Sequence, residues 1–248
     1  MRQFLIYLYL ILATVGFFTI PLTVIAYSFL GSVILYHLLQ LISHDYFSHE
    51  YIVPRNSMVK GFILLLWATQ SGETIKQKKN FHYAHHLHWK NVDKDPTARK
   101  LKDTTWWEYL LEINVSSKHL SLPVYATPTL DGKLIQLHEK HCKTIWYSWI
   151  AMTIIFMPWW MFMVVSIYPK VYGLFLSRFH DYYFHGGKNE GKDSAWLLPL
   201  YGSASWHIKH HKSWRNSFYG FTKFEKYLNL GWYFNNIFFK PNVKYVYQ

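Results

Sequence analysis

From Gln3 to Ser43 the chain carries no Asp, Glu, Lys or Arg, and a second stretch from Thr144 to Pro169 carries none either. At about 1.5 Å per residue the first run is far longer than the ~20 residues one helix needs to cross a hydrocarbon layer. Pro21 lies near its middle, where a turn fits, and predicts one helix over about 3–20 and another over about 22–43. A cleaved signal peptide is the alternative for the N-terminus, but the apolar sequence simply continues where a cleavage site is needed. The second run extends to Ser177 with Lys170 as its one charge, and folds into a shorter hairpin turning between Pro158 and Lys170, with spans at about 144–163 and 165–182. Both are marginal in length and need tilt or local thinning. A third apolar patch, Phe62 to Trp67, is too short to cross and reads as a helix in the interface or buried in the polar part. The expected fold is therefore an all-α integral membrane protein, one domain over 1–248, with four transmembrane helices in two hairpins and a helical head built from 44–143 and 183–248.

Charge sets the orientation. Of 26 Lys and Arg, 14 lie in residues 50–143 and 10 in 178–248, leaving Arg2 and Lys170. Four spans put both polar segments on one side, which the positive-inside rule makes cytoplasmic, in an endoplasmic reticulum or bacterial inner membrane. The net charge of +12 is then mostly a charge facing anionic headgroups. No nucleic-acid-binding motif accompanies it, so no nucleic-acid partner is expected. One cysteine, Cys142, excludes an intrachain disulfide and a thiolate metal cluster.

The 15 histidines carry the chemistry. They fall into groups: His44 and His49 spaced H-x-x-x-x-H directly after the second span; His82, His85 and His86 spaced H-x-x-H-H; His185; and His207, His210 and His211, again H-x-x-H-H. Positions i, i+3 and i+4 share a helix face, so each H-x-x-H-H copy is expected to aim three imidazoles at a common point. The i, i+5 pair is roughly 140° off-face on an ideal helix and calls for a helix end or service to two different metals. Imidazole suits Fe, Zn, Cu and Ni. A single zinc takes three or four ligands, and histidines in this number fit two metals sharing a cage. His37, His88, His119, His138, His141 and His180 read instead as ordinary polar residues.

These spacings resemble the membrane fatty-acid desaturase family, in particular its acyl-CoA and acyl-lipid Δ9-type branch, over residues 30–220. Beyond the boxes, Asn91 to Pro96 resembles the family's T-D-x-D-P loop, and Asp193 to Leu200 its short apolar approach to the third box. Asp181 to His185 stands where the family has N-x-x-x-H, with Asp for Asn. The resemblance implies nine metal ligands (His44, His49, His82, His85, His86, His185, His207, His210 and His211), with Asp181 behind them holding a metal-bound water. Tyr83 stands where the second box usually has Arg, and Ser203-Ala204-Ser205 where Gly-Glu-Gly usually precedes the third. That departure leaves desaturation and hydroxylation both open.

The implied activity is O2-dependent insertion of a double bond into a fatty-acyl chain carried on CoA, lipid or ACP. Removing hydrogen from an unactivated methylene needs an oxidant that no side chain provides, and the family's is a pair of iron ions. No flavin, haem or iron–sulfur motif is present, so electrons come from outside. Lys76, Lys78, Lys79, Lys209, Lys212 and Arg215 form a basic face suited to an acidic donor such as cytochrome b5 or ferredoxin, or to lipid headgroups. A membrane lipid or alkane hydroxylase is the neighbouring alternative. A metal transporter or sensor is the non-enzyme one, although transporters hold their ligands within the spans.

Overall fold

The computed structural model describes residues 2–89, 91, 93–101, 104–111, 130, 132–185, 192–212 and 223–242. The first uncharged run forms α1 (Arg2–Thr19) and α2 (Leu22–Gln40). The break falls at the proline, as expected: Pro21 has no amide hydrogen and drives the residue before it out of helical geometry. Beyond Gln40 the rod does not stop, but widens into a π-helical segment, Leu41–Ser48.

Two helices are long and apolar enough to cross a membrane, Leu22–Ser48 and Trp159–His185, and Ile6–Thr19 is a shorter apolar helix. The second of the long rods departs from the expected limits. After a three-residue connection, β1 (Ile52–Pro54), α3 (Ser57–Ser71), α4 (Ile75–Leu87), α5 (Pro96–Leu101) and α6 (Trp106–Leu111), the chain enters α7 (Lys133–Phe156). It breaks at Met157 and Pro158, not near residue 164, because Pro158 holds Met157 in extended geometry (φ −98, ψ 142). From Trp159 to His185 the chain is one rod: α8 (Trp159–Phe162), a π-helical stretch Met163–Ile167, and α9 (Tyr168–His185). Residues 163–165, expected to turn, are inside it.

The two rods run parallel. The Ser28 hydroxyl donates to the Val164 carbonyl at 3.1 Å, supplying a partner to backbone loosened by the π-turn, and Val33 packs with Leu176 further along. Both rods therefore end together, at His49 and His185. α1 leans on the same region, Tyr9 to Ala13 packing near Met163, Ile167 and Tyr168. Gly16 permits that approach, since a Cβ there would fall 2.6 Å from the Tyr168 hydroxyl oxygen.

α3 carries the apolar patch of the sequence, with one face buried and Phe62 and Leu65 exposed on the other. Asn56 caps it by accepting from Val59 N, and Gly72 ends it at φ 64, where a Cβ would meet Trp146 of α7 at 2.9 Å. Ile63, Leu64 and Trp67 face a core with Tyr46, Phe47, Ile75, Ile135 and Phe239. The Lys170 ammonium donates to the Gln70 carbonyl in the last turn of α3, where the helix dipole favours a cation. Lys170 thus clamps α3 to the flank of α9 and does not lie in a turn. Fixing of α4 follows from a capping box between Thr74 and Gln77.

The C-terminal part adds α10 (Leu198–Tyr201), α11 (His207–Lys212), α12 (Lys223–Leu228) and α13 (Leu230–Phe238). It closes on β2 (Phe239–Pro241), which pairs antiparallel with β1 in the register Ile52↔Pro241, Val53↔Lys240, Pro54↔Phe239. This short ladder is the one departure from an all-helical chain among the described residues.

Candidate metal centre

The first box solves its spacing problem with the backbone. In a π-helix the turn closes from i to i+5, and His49 N donates to His44 O at 3.0 Å. That extra residue per turn stacks the two side chains, whose ring centroids are 4.7 Å apart. The pair therefore serves one group, and it does so at a helix end, since His49 is the residue that terminates the π-helical segment. Glu50 follows at φ 57, and Tyr51 lies flat on the His49 ring at 4.7 Å.

Nine histidines converge in two groups: His44, His49, His82, His86 and His210; and His85, His185, His207 and His211, with the ligand nitrogens of each group all within 4.8 Å of one another. All nine expected ligands are thus brought together. Each H-x-x-H-H copy, however, divides between the groups instead of aiming at one point. His82 and His86 enter the first and His85 the second, while His207 and His211 enter the second and His210 the first. Helical geometry permits it: i+3 and i+4 are separated by 100° and straddle the i position. α4 and α11 thereby exchange their i+3 histidines, so each group is built from both helices.

The nitrogen spacing fits ions. In the first group, Nε2 to Nε2 distances are 3.1 Å for His44–His210, 3.1 Å for His210–His86, 3.0 Å for His86–His82 and 2.8 Å for His82–His49. In the second, His85–His211 is 3.0 Å and His211–His207 is 2.9 Å. Two nitrogens bound at right angles to one ion at about 2.1 Å stand roughly 3.0 Å apart. The groups touch through the His86 and His211 rings, 4.4 Å between centroids.

A carboxylate prepares each group. His44 Nδ1 donates to Asp45 at 2.6 Å, and His85 Nδ1 donates to Asp95 at 2.8 Å. With the proton on Nδ1, the Nε2 lone pair points inward, the tautomer a metal requires. Asp95 is the last acid of the loop Asn91 to Pro96, which explains why that motif follows the second box. Burial, joined by neighbouring imidazoles, holds His49, His82, His207 and His211 well below the ordinary histidine pKa and takes His86 down to about 2. They are neutral donors at any physiological pH.

Asp181 accepts from the Tyr109 hydroxyl at 2.7 Å and from His180 Nδ1 at 3.4 Å, and forms a further ligand group with His180 and His185. His180, read from sequence as an ordinary residue, is therefore at the centre's edge, its ring 5.0 Å from that of His207. Its signal was proximity to Asp181 alone. His37, by contrast, donates from Nε2 to the Pro199 carbonyl at 2.9 Å and belongs to neither group. His138, also outside both groups, is buried on α7 beside Phe47.

Two spaces adjoin the centre. A cavity of about 200 Å³ opens beside the five-histidine group, lined by Ser48, His49, His82, Tyr83, His86 and Leu87. A second, about 10 Å³ and so the size of one water, is lined by His44, Asp45, Ser203, Ala204, His207 and His210. The small residues Ser203 and Ala204 make part of its wall. Asp193 supports the third box from outside, accepting from Ile208 N at 2.8 Å.

The basic face is smaller than expected. Lys79 is buried and paired with Glu50, so it faces inward. Lys76, Lys209 and Lys212 are exposed and Lys78 is half-buried; Arg215 and His119 lie outside the described residues. Compared with known proteins, the chain matches no family model, and no curated protein or solved structure matches it.

Proposed function

We propose that the chain is an O2-dependent di-iron fatty-acyl desaturase that introduces a double bond into a lipid acyl chain, working on four membrane spans with its histidines at the cytoplasmic face. The observation that carries this reading is the division of nine histidines into two touching groups, each fed by both H-x-x-H-H helices. Such a cage suits a pair of ions acting together, which is more than a structural zinc needs. Histidine as the ligand suits iron among the metals that react with O2. When bound, the iron pair supplies the oxidising power that breaks unactivated C–H bonds.

The protein's own residues supply placement. Asp45 and Asp95 hold two rings in the ligating tautomer, and the π-turn aligns His44 with His49. The cavity beside the five-histidine group, with Tyr83 and Leu87 as its apolar side, is the space into which a segment of acyl chain fits. Exposed Tyr27, Leu30, Ile154, Ile155 and Phe156 on α2 and α7 support a lipid surround, since apolar surface of that extent is costly in water. Electrons reach the site from an external donor such as cytochrome b5 or ferredoxin.

The test has two parts. Protein purified after anaerobic iron loading is expected to hold two irons per chain, and a host expressing it to convert labelled saturated acyl chains to monounsaturated products. Hydroxylated products would move the assignment to a lipid hydroxylase on the same cage. Metal accumulation in the host without any oxidised lipid would support a transporter or sensor instead, and a single zinc without iron would end the di-iron reading.

A further inference from the structure

Eight of the nine clustered histidines stand within a helix, which aims them. His49 is the exception, since it ends the π-helical segment Leu41–Ser48 and the residue after it leaves helical geometry. That residue, Glu50, is the one non-glycine at positive φ among the described residues, at 57°, a region that side-chain-bearing residues rarely adopt. Backbone of this kind persists only where its surroundings impose it, and it gathers at functional sites.

Here a buried ion pair imposes it. The Lys79 ammonium donates to Glu50 Oε1, and the two residues are 8% and 6% exposed. Lys79 stands three residues before His82 and seven before His86, on the face of α4 that supplies both to the five-histidine group. Glu50 directly follows His49, whose Nε2 lies 2.8 Å from that of His82. The pair therefore fastens together the two segments that meet at this nitrogen contact. The Glu50 carbonyl is held as well, accepting from the Asn242 side-chain amide at 2.8 Å. A buried ion pair gains little stability over apolar side chains of similar volume, so what it contributes is fixed geometry.

We infer that Glu50 and Lys79 are positioning residues that set the direction of the His49 imidazole and so complete the five-histidine group. This inference rests on the metal reading above. The effect is confined to one ion, because the four-histidine group takes no residue from the π-helical segment or its end.

The test replaces both partners, Glu50→Gln together with Lys79→Met, which leaves no unpaired charge buried. In 57Fe-loaded protein, competition against a chelator is expected to show one ion held at least tenfold more weakly and the other unchanged, with one Mössbauer doublet altered. The metal-free variant is expected to melt near the wild-type temperature, which separates positioning from stability. Wild-type affinity for both ions would overturn the inference, and so would equal weakening of both, the mark of a general loosening. Should that variant not accumulate, Glu50→Gly with Lys79→Met carries the test, since glycine takes φ 57 without strain. The same selective loss is expected, and two ions bound as in wild type would again overturn the inference. A wild-type protein that binds no ions would instead overturn the metal reading beneath it.

Discussion

Replacing Asp95 by Asn isolates what a buried carboxylate behind a ligand contributes. Asp95 is 1% exposed, and its Oδ1 accepts from both His85 Nδ1 and Thr97 N, each at 2.8 Å. Asn keeps one carbonyl oxygen in that position and loses the charge. A hydrogen bond to a charged group contributes roughly 1.5–3 kcal/mol and a neutral one roughly 0.5–1.5, so the orienting bond to His85 weakens by about 1–2 kcal/mol. At 1.4 kcal/mol per tenfold this is a loss of roughly 5- to 30-fold in affinity for the ion at the four-histidine group, overlapping the lower part of the 10- to 100-fold range usual for such partners. The assay is a chelator competition with iron, or with cobalt followed by its visible bands. Asp93, two residues earlier in the same loop and exposed, is the control, and Asp93→Asn should change affinity less than twofold. Equal effects at 93 and 95, or less than twofold at 95, would refute the claim that the loop exists to fix the His85 tautomer.

Two further outcomes follow from burial. His138→Ala, on α7 against Phe47, should lower the melting temperature, with a cost of about 2 kcal/mol for the cavity, while metal content stays at the wild-type level. In metal-free protein the histidines at 49, 82, 86, 207 and 211 have folded pKa values below the ordinary 6.5, so above pH 6.5 they are neutral in both states and contribute nothing. Below it the unfolded chain takes up protons that the folded chain refuses, so stability falls with falling pH by up to about 1.4 kcal/mol per pH unit for each histidine. Thermal melts of the metal-free protein between pH 7.5 and 5.5 should show that decline, and a flat profile would contradict neutral burial.

The ligands were legible because spacing and residue type together are restrictive: three imidazoles in five residues, twice, leave few other readings. Their distribution was not. Whether His85 joins His82 or His207 depends on where α11 lies relative to α4, and nothing within residues 82–86 states that. The π-turn at Leu41–Ser48 was hidden for a related reason. A π-turn is sustained by tertiary contacts, here Tyr46 and Phe47 buried against α3, while the local sequence reads as continuous helix. Lys79 looked like its neighbours Lys76 and Lys78, and only the fold shows that its face of α4 turns toward Glu50. Pro158 was available to be read as a sharp boundary. It competed with Lys170, which in an apolar stretch suggests a turn until a carbonyl such as that of Gln70 is found to receive it.

That last exchange bears on how the chain crosses a membrane. Leu22–Ser48 and Trp159–His185 run parallel and bring His44, His49 and His185 to one end. Two parallel crossings require a return between them, and α7 is the element available, ending at Phe156 directly before the Pro158 break. Its uncharged part, from Thr144, is about 20 Å long, short of a ~30 Å hydrocarbon layer. Lys170 and Trp146 both meet the end of α3, so the polar head reaches down the two rods to that level. On the proposed four-span topology the second hairpin would enter lipid only below it, with the bilayer thinned around it. In a Cys142→Ser background, a cysteine at Lys212 is expected to react with an impermeant thiol reagent from the cytoplasmic side, and one at Trp159, exposed at the start of α8, from the opposite side. Labelling of both from one side would mean that α7 and α8 form a re-entrant wedge that turns back within the bilayer. The histidine cage would survive that result, since its elements meet at one end either way, but the four-span topology would not.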